Sequence, residues 1–287
     1  MKPGTRIKIE SFLNKQKDKF SKLKSSLTKK SVIYTSIIAI FILLIIVIFV
    51  IYRNVSSNKS NIPSDYAEYN RSTIFEVNNI YMYSSADATS NNTNKALWNL
   101  NLHQFTDISI SLKISPTKNT SESSIKKLYI TNVKISDSIK GNPNLYYKDI
   151  REFGKLSKND DNKIDNRLDY EILDPESQID YSKPQFKSDA SMPITLTYIN
   201  NDFKENAIVA DISEPLTYDG SLLKKSTTLL TDLKGTVSFT LNIINNQDTK
   251  FICDLELPIE LENDSSTIYD GNYVQQINDK KAFYKTN

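Results

Sequence analysis

From about residue 70 onward, apolar and polar side chains alternate with a period of two, and this alternation constrains the fold more than any other feature. The clearest runs are Trp98–Leu102, Ile108–Ile114, Ile194–Tyr198, Val237–Ile243 and Phe251–Leu261. Successive side chains of a strand point to opposite faces, so strict alternation is typical of a strand with one face on a core and one in water. The pattern predicts an all-β domain, a mostly antiparallel β-sandwich that is immunoglobulin-like or jelly-roll-like.

The last two runs predict a β-hairpin over Gly235–Leu261, because only a short polar connection at residues 245–248 separates them. Pro258 cannot donate a hydrogen bond to a neighbouring strand, so we expect its end of the hairpin to be an edge or a bulge. Further strands are predicted near Ile74–Tyr83, Ile125–Ser136 and Leu168–Leu173. In the second of these the apolar phase shifts, which indicates a bulge or two covered faces.

Two polar stretches interrupt the alternation, at Asp137–Arg167 and Asp174–Met192. The first contains aromatic residues at Tyr146, Tyr147 and Phe153. We interpret both stretches as long loops. Long loops in a compact domain are often functional, but flexible insertions are equally compatible with this composition, so both interpretations stay open.

Residues 32–52 form an unbroken apolar segment without charge, Gly or Pro. As a helix it would be about 30 Å long, which matches the hydrocarbon core of a bilayer. The apolar region of a secretory signal is shorter and ends at a small-residue cleavage site, whereas this segment is followed by Arg53. The sequence therefore predicts a single transmembrane helix at 32–52.

The flanks of this helix predict its orientation. The first thirty residues contain ten basic and two acidic side chains, whereas only Arg53 and Lys59 are basic between the helix and residue 60. This asymmetry places the N-terminus in the cytoplasm and the C-terminal part outside. The predicted organisation is a basic cytoplasmic tail at 1–31, the helix at 32–52, a polar stalk at 53–70 and an extracytoplasmic domain at 71–287.

The basic tail is itself patterned. An apolar stripe with helical spacing runs through Ile9, Leu13, Phe20, Leu23 and Leu27, and lysines occupy the other faces. An amphipathic helix of this kind would bind the lipid of the inner leaflet. A charged segment that only fixes the topology explains the same residues, and both readings remain open. Residues 61–287 carry 24 basic and 32 acidic side chains, so this part has no general attraction for nucleic acid.

Most catalytic chemistry lacks its residues in this chain. The one histidine, His103, falls on the polar phase of its run, which predicts an exposed imidazole, and the one cysteine, Cys253, falls on the apolar phase, which predicts a buried, unreactive thiol. None of the six glycines forms a nucleophile elbow, a dinucleotide-binding motif or a P-loop. We therefore predict no catalytic residues, no cofactor and no His/Cys metal site, and a protein that is not an enzyme.

An acidic stretch at residues 159–166 raises the question of calcium binding. Placed on the EF-hand template from Asp160, Asn162 and Glu171 fit, but Ile164 stands at a ligand position and Asp165 where Gly is required. A solvated turn is the simpler interpretation, and a looser oxygen-ligand site stays open.

The layout of basic tail, single helix, stalk and β-domain resembles that of many envelope proteins of Gram-positive bacteria. The sequence thus favours a single-pass membrane protein whose extracytoplasmic β-sandwich is non-enzymatic and binds or scaffolds other envelope components, with an envelope protein or a glycan as partner. The alternative is a module that binds or acts on cell-wall glycan through exposed aromatic rings and carboxylates.

Overall fold

The structure is a computed structural model that describes residue 17 and residues 70–91, 97–136, 140–209, 216–261 and 271–286. The chain divides into two units, Met1–Asn61 and Ile62–Asn287, and the description below concerns the second. No helix within the described ranges is both long enough and apolar enough to span a membrane. The predicted transmembrane helix at 32–52 lies outside these ranges, as do nearly all of the tail and the stalk.

The described part of the second unit is mostly β. Its eleven strands are β1 (Arg71–Ser90), β2 (Trp98–Ile114), β3 (Ile125–Ile135), β4 (Asn144–Tyr147), β5 (Arg167–Leu173), β6 (Gln185–Lys187), β7 (Ile194–Val209), β8 (Gly235–Asn245), β9 (Lys250–Ile259), β10 (Tyr273–Ile277) and β11 (Lys281–Thr286). Its helices are short: α1 (Thr120–Ser123), α2 (Ser221–Lys225) and the 3₁₀ turns η1 (Ile150–Glu152), η2 (Asp160–Asn162) and η3 (Leu230–Asp232).

All eleven strands belong to one mixed sheet in the order β4-β7-β2-β1-β11-β9-β8-β3-β5-β6, and β10 pairs with the middle of β1, from Ile80 to Ser84. Every strand pair is antiparallel except β5 with β6. Strand β11 joins the two halves of the sheet, because it pairs with the start of β1 on one side and with the start of β9 on the other. The prediction of a mostly antiparallel, all-β unit is confirmed at this level.

The sheet curls so that one face, the inner face, surrounds the main core. Side chains from both halves of the strand order meet there, including Ile108 and Leu196 from one half and Leu241 and Leu255 from the other. The ring of Phe75 packs edge-on against that of Phe251 with 5.0 Å between centroids. The alternating runs therefore bury their apolar phase, as their spacing predicts.

Several predicted strands are longer than their apolar runs. The runs at Trp98–Leu102 and Ile108–Ile114 are parts of one strand, β2. Between them the inner face carries Gln104 and Thr106, which are buried, and the Thr106 hydroxyl is 2.8 Å from that of Ser84 on β1. Because these two inward-facing residues are polar, the apolar alternation is interrupted and the sequence pattern does not show that β2 is one continuous strand.

The hairpin of β8 and β9 is confirmed, with Gly235 paired to Ile259 and Ile244 to Lys250. Pro258 lies in the part of β9 that, among the described residues, pairs with β8 alone. The predicted bulge in β3 is present: its register with β8 shifts between Thr131 and Lys134, and Asn132 has a φ of 57°.

Candidate functional site

The outer face of β4, β7, β2 and β1 carries the buried polar and charged side chains that are described below. Residues 148–158, which we call the outer strap, follow β4 and lie against this face. Leu156 of the strap packs against a small apolar cluster of Phe105, Tyr146 and Ile199. Without the strap this outer face would be in contact with water. The strap covers part of it, so apolar side chains are buried on both faces of the sheet here.

The stretch Asp137–Arg167, interpreted as a loop, is only partly irregular. Its aromatic pair forms the edge strand β4, in which Tyr146 packs on the outer face and Tyr147 on the inner face. The Tyr147 hydroxyl donates a hydrogen bond to the carbonyl oxygen of Tyr181 at 2.9 Å, so it also holds the second polar stretch. Burial raises the pKa of Tyr147 to about 12. Both tyrosines thus have packing roles.

The prediction that His103 is exposed is wrong, because its side chain is buried with 4 % of its surface accessible. It does lie on the outer face, but β7 is irregular opposite it, with a register shift near Leu102 and a φ of 49° at Asp202. This irregular backbone covers the imidazole, and the Asp202 N–H donates to Nδ1 at 3.0 Å. Alternation gives the face of a residue, but it does not reveal what covers that face.

Cys253 is buried as predicted, with 2 % of its surface accessible. Burial raises the pKa of its thiol to about 12, so the thiol stays protonated at neutral pH.

The acidic stretch at residues 159–166 contains the turn η2. Asp160 pairs with Lys158 at 3.0 Å and Asp165 with Lys163 at 2.9 Å. Within the described ranges, no group of three or more His, Cys, Asp or Glu side chains could hold a metal ion.

A buried ion pair fastens the strap to the sheet. Lys148 follows β4 and Asp107 lies on β2, and the Lys148 Nζ is 3.2 Å from the Asp107 Oδ1. Both side chains are almost completely buried, with 1 % and 0 % of their surface accessible. The Lys148 Nζ also donates to the Lys155 carbonyl at 2.6 Å, and the Gly154 N–H donates to the Asp107 Oδ2 at 2.7 Å. Gly154 has a φ of 86°, a conformation that suits glycine and turns its N–H toward the carboxylate.

Burial shifts the pKa of both members of this pair so that the neutral form of each is favoured. It raises the pKa of Asp107, and the nearby Lys148 ammonium only partly opposes this effect. It likewise lowers the pKa of Lys148, and the Asp107 carboxylate only partly opposes that. A charged group loses its hydration when it is buried, and here this loss outweighs the attraction within the pair.

A partly exposed patch, which we call the aromatic patch, is formed by Tyr81 and Tyr83 of β1, Val274 of β10 and Phe153 of the strap. The rings of Tyr81 and Phe153 have centroids 5.9 Å apart. Val274 pairs with Tyr83 in the ladder between β10 and β1. The exposed fractions of Tyr81 and Val274 are 38 % and 50 %. Ser109 and Gln276 pair with Tyr81 on either side, so hydroxyl and amide groups border the rings.

Two open clefts of about 240 Å³ and 430 Å³ flank the first residues of β1, and Arg71, Ser72 and Thr73 line both. Hydroxyl, amide and charged side chains line the described parts of both clefts. His103 and Cys253 do not line either of them. A serine or threonine nucleophile needs an adjacent general base, and neither lining brings a histidine to these hydroxyls.

Sequence reasoning did not find the ion pair. Asp107 stands at a polar position just before an alternating run, and Lys148 stands in a lysine-rich stretch, so neither residue differs from its surroundings. The one available signal is the aromatic pair Tyr146-Tyr147 before Lys148, which indicates a buried segment. No protein-family model matches the chain, and neither does any curated protein or solved structure.

Proposed function

We propose that this protein is a non-enzymatic binding or scaffolding module of a Gram-positive bacterial envelope. In this proposal the helix at 32–52 anchors the chain in the cell membrane, the N-terminus is cytoplasmic, and the domain at 71–287 is extracytoplasmic. The two halves of the curled sheet act as the layers of a β-sandwich that presents the aromatic patch to a partner.

The observation that carries the proposal is the aromatic patch. Tyr81 and Val274 are large hydrophobic residues that stay exposed at diagonal positions of the ladder between β1 and β10. The neighbouring outer-face cluster of Phe105, Tyr146 and Ile199 is buried. Tyrosine is enriched in interfaces because it adds apolar area and a hydrogen-bonding hydroxyl at a low cost in side-chain entropy. The patch therefore fits contact with a protein of the envelope.

A glycan partner is the second candidate, and a specific arrangement favours it. The Tyr81 ring is bordered by Ser109 and Gln276, whose hydroxyl and amide groups suit the hydroxyls of a sugar, while the ring face suits its C–H groups. These ladder partners are polar and uncharged, so the arrangement supports binding of wall glycan in preference to its hydrolysis, which uses paired carboxylates.

The test places a photo-crosslinking amino acid at Val274 of the full-length protein in living cells. Leu229 is the matched control, because it is also a half-exposed aliphatic residue but lies between α2 and η3. We expect a crosslinked envelope protein from position 274 and not from position 229. In parallel, Tyr81→Ser should weaken retention on purified wall glycan if the partner is a glycan. Equal crosslinking at both positions, together with unchanged glycan retention, would contradict both versions.

A further inference from the structure

The buried pair of Lys148 and Asp107 has a geometry that allows a covalent bond. The Lys148 Nζ is 3.2 Å from the Asp107 Oδ1, so the carboxyl carbon lies no more than one C–O bond length beyond that distance. A reaction between two groups that the fold already holds together gains strongly from proximity, because the entropy of bringing them together is lost on folding and not in the reaction. We propose that Lys148 and Asp107 condense into an intramolecular isopeptide bond that ties the outer strap to β2.

The contacts around the pair favour the reaction. The Gly154 N–H points at the Asp107 Oδ2 from 2.7 Å and would stabilise negative charge that develops on this oxygen. The Lys155 carbonyl accepts a hydrogen bond from the Lys148 Nζ at 2.6 Å and so fixes the direction of the amine. Both side chains are almost completely buried, and water, which would otherwise favour the two ions, is thereby excluded from the pair.

The protonation states support the same chemistry. Amide formation needs a neutral amine and a protonated carboxyl group, whereas two separate ions in water do not react. Burial raises the pKa of Asp107 and lowers that of Lys148, so moving a proton from the ammonium to the carboxylate costs less here than in water.

The step balances without an oxidant or a co-reactant. The Lys148 ammonium gives one proton to the Asp107 Oδ1, and the lone pair of the neutral amine attacks Cγ to form the C–N bond. Negative charge forms on Oδ2, facing the Gly154 N–H. A second proton passes from nitrogen to Oδ1, the C–Oδ1 bond breaks, and Oδ1 leaves as water. The products are a secondary amide and one water molecule.

Such a bond would give an exported domain a covalent tie that its cysteine content cannot provide. The chain has a single cysteine, and Cys253 is buried in the core, so no internal disulfide can form. The amide would hold the strap over the outer face even when the surrounding packing opens.

Intact mass and peptide mapping of the purified full-length protein test the proposal. We expect the mass to be lower than the sequence mass by about 18 Da, the mass of one water. After digestion with trypsin, the peptides 96–113 and 141–151 should appear as one branched species that is uncut at Lys148. The exposed pair Lys126 and Asp248 is the internal control: its Nζ–Oδ1 distance is shorter, 2.7 Å, but both side chains are in water, so their peptides should stay separate.

Two variants sharpen the result. Lys148→Arg keeps the charge but should show the full sequence mass, whereas Asp107→Asn should still form the bond and lose about 17 Da as ammonia. A sequence mass for the folded wild-type protein with separate peptides would overturn the proposal, and the wild-type measurement decides this even if a variant fails to fold. A loss of water confined to one unbranched peptide would overturn it as well.

Discussion

At the scale of single residues, the buried polar groups of the described domain are of two kinds: neutral groups with local partners or apolar character, and charged groups that need each other. Cys253 behaves as a small apolar group, and His103 satisfies its ring nitrogens with backbone and hydroxyl partners. Asp107 and Lys148 differ, because each would leave an unpaired buried charge if the other were lost. The phase of the sequence pattern predicts the burial of Cys253, but it gives the wrong exposure for His103, because the irregular backbone of β7 covers that side chain. It does not predict the pair of Asp107 and Lys148 either, since pairing depends on segments far apart in the chain.

The first prediction concerns Cys253. Because the thiol is buried between Phe251 and Leu255 on the inner face, we expect Cys253→Ala to lower the free energy of unfolding by about 1 kcal/mol. Cys253→Asp should cost several times more, because it buries an unpaired carboxylate. Urea unfolding of the two variants measures this difference. Rapid labelling of the native thiol by a bulky maleimide would contradict the assignment.

The second prediction concerns pH and Tyr147. The pKa of this phenol rises from 10.0 to about 12 on folding, so between these values the unfolded chain has lost a proton that the folded protein retains. The free energy of unfolding must therefore fall as the pH rises through this window. At neutral pH, Tyr147→Phe should cost about 1 kcal/mol for the lost hydrogen bond to Tyr181. The variant lacks the ionisation, so this cost should shrink between pH 10 and 12. A constant difference between wild type and variant across that range would refute the burial of the hydroxyl.

At the scale of elements, the outer strap is the part of the fold that sequence patterns represent least well. The strap follows β4, and its contacts with the sheet include the ion pair of Lys148 and Asp107. Strands β4 and β6 are also hard to predict, because four and three residues are too few for two-residue alternation to be recognised. Long strands such as β8 and β9 could be predicted nearly to their ends because each turns a full apolar row to the core. Local periodicity thus predicts long elements with a continuous apolar row, and it misses short or irregular ones whose contacts are made with distant segments.

The third prediction concerns the attachment of the strap. Asp107→Ala removes the carboxylate that binds both the Lys148 ammonium and the Gly154 N–H, so we expect the strap to open. Brief trypsin treatment of the folded variant should cut at Arg151, Lys155 and Lys158 at least several times faster than in wild type, because proteolysis follows local opening. Cleavage at Lys126, which is exposed at the start of β3, should not change and serves as the control site. Equal rates at all sites in both proteins would show that packing alone holds the strap.

At the scale of the whole molecule, the boundary between the two units supplies the last prediction. Every described strand belongs to the unit Ile62–Asn287, and strands from both halves of its curled sheet share one core. A fragment of residues 62–287 should therefore fold without the rest of the chain. Its formal charge of −8 opposes association, so the fragment should remain soluble.

The fragment should show a circular dichroism spectrum dominated by β-structure, because its described helices are only three to five residues long. It should also melt in one cooperative transition that neither reductant nor a metal chelator shifts, because packing and the polar contacts of the strap supply its stability. Asp107→Ala in the same fragment should lower the melting temperature but keep a single transition, because the strap and the sheet share the outer-face cluster around Phe105. A helix-rich spectrum would contradict the fold. A separate early transition in the variant would instead show that the strap is an independent unit and not part of the cooperative domain.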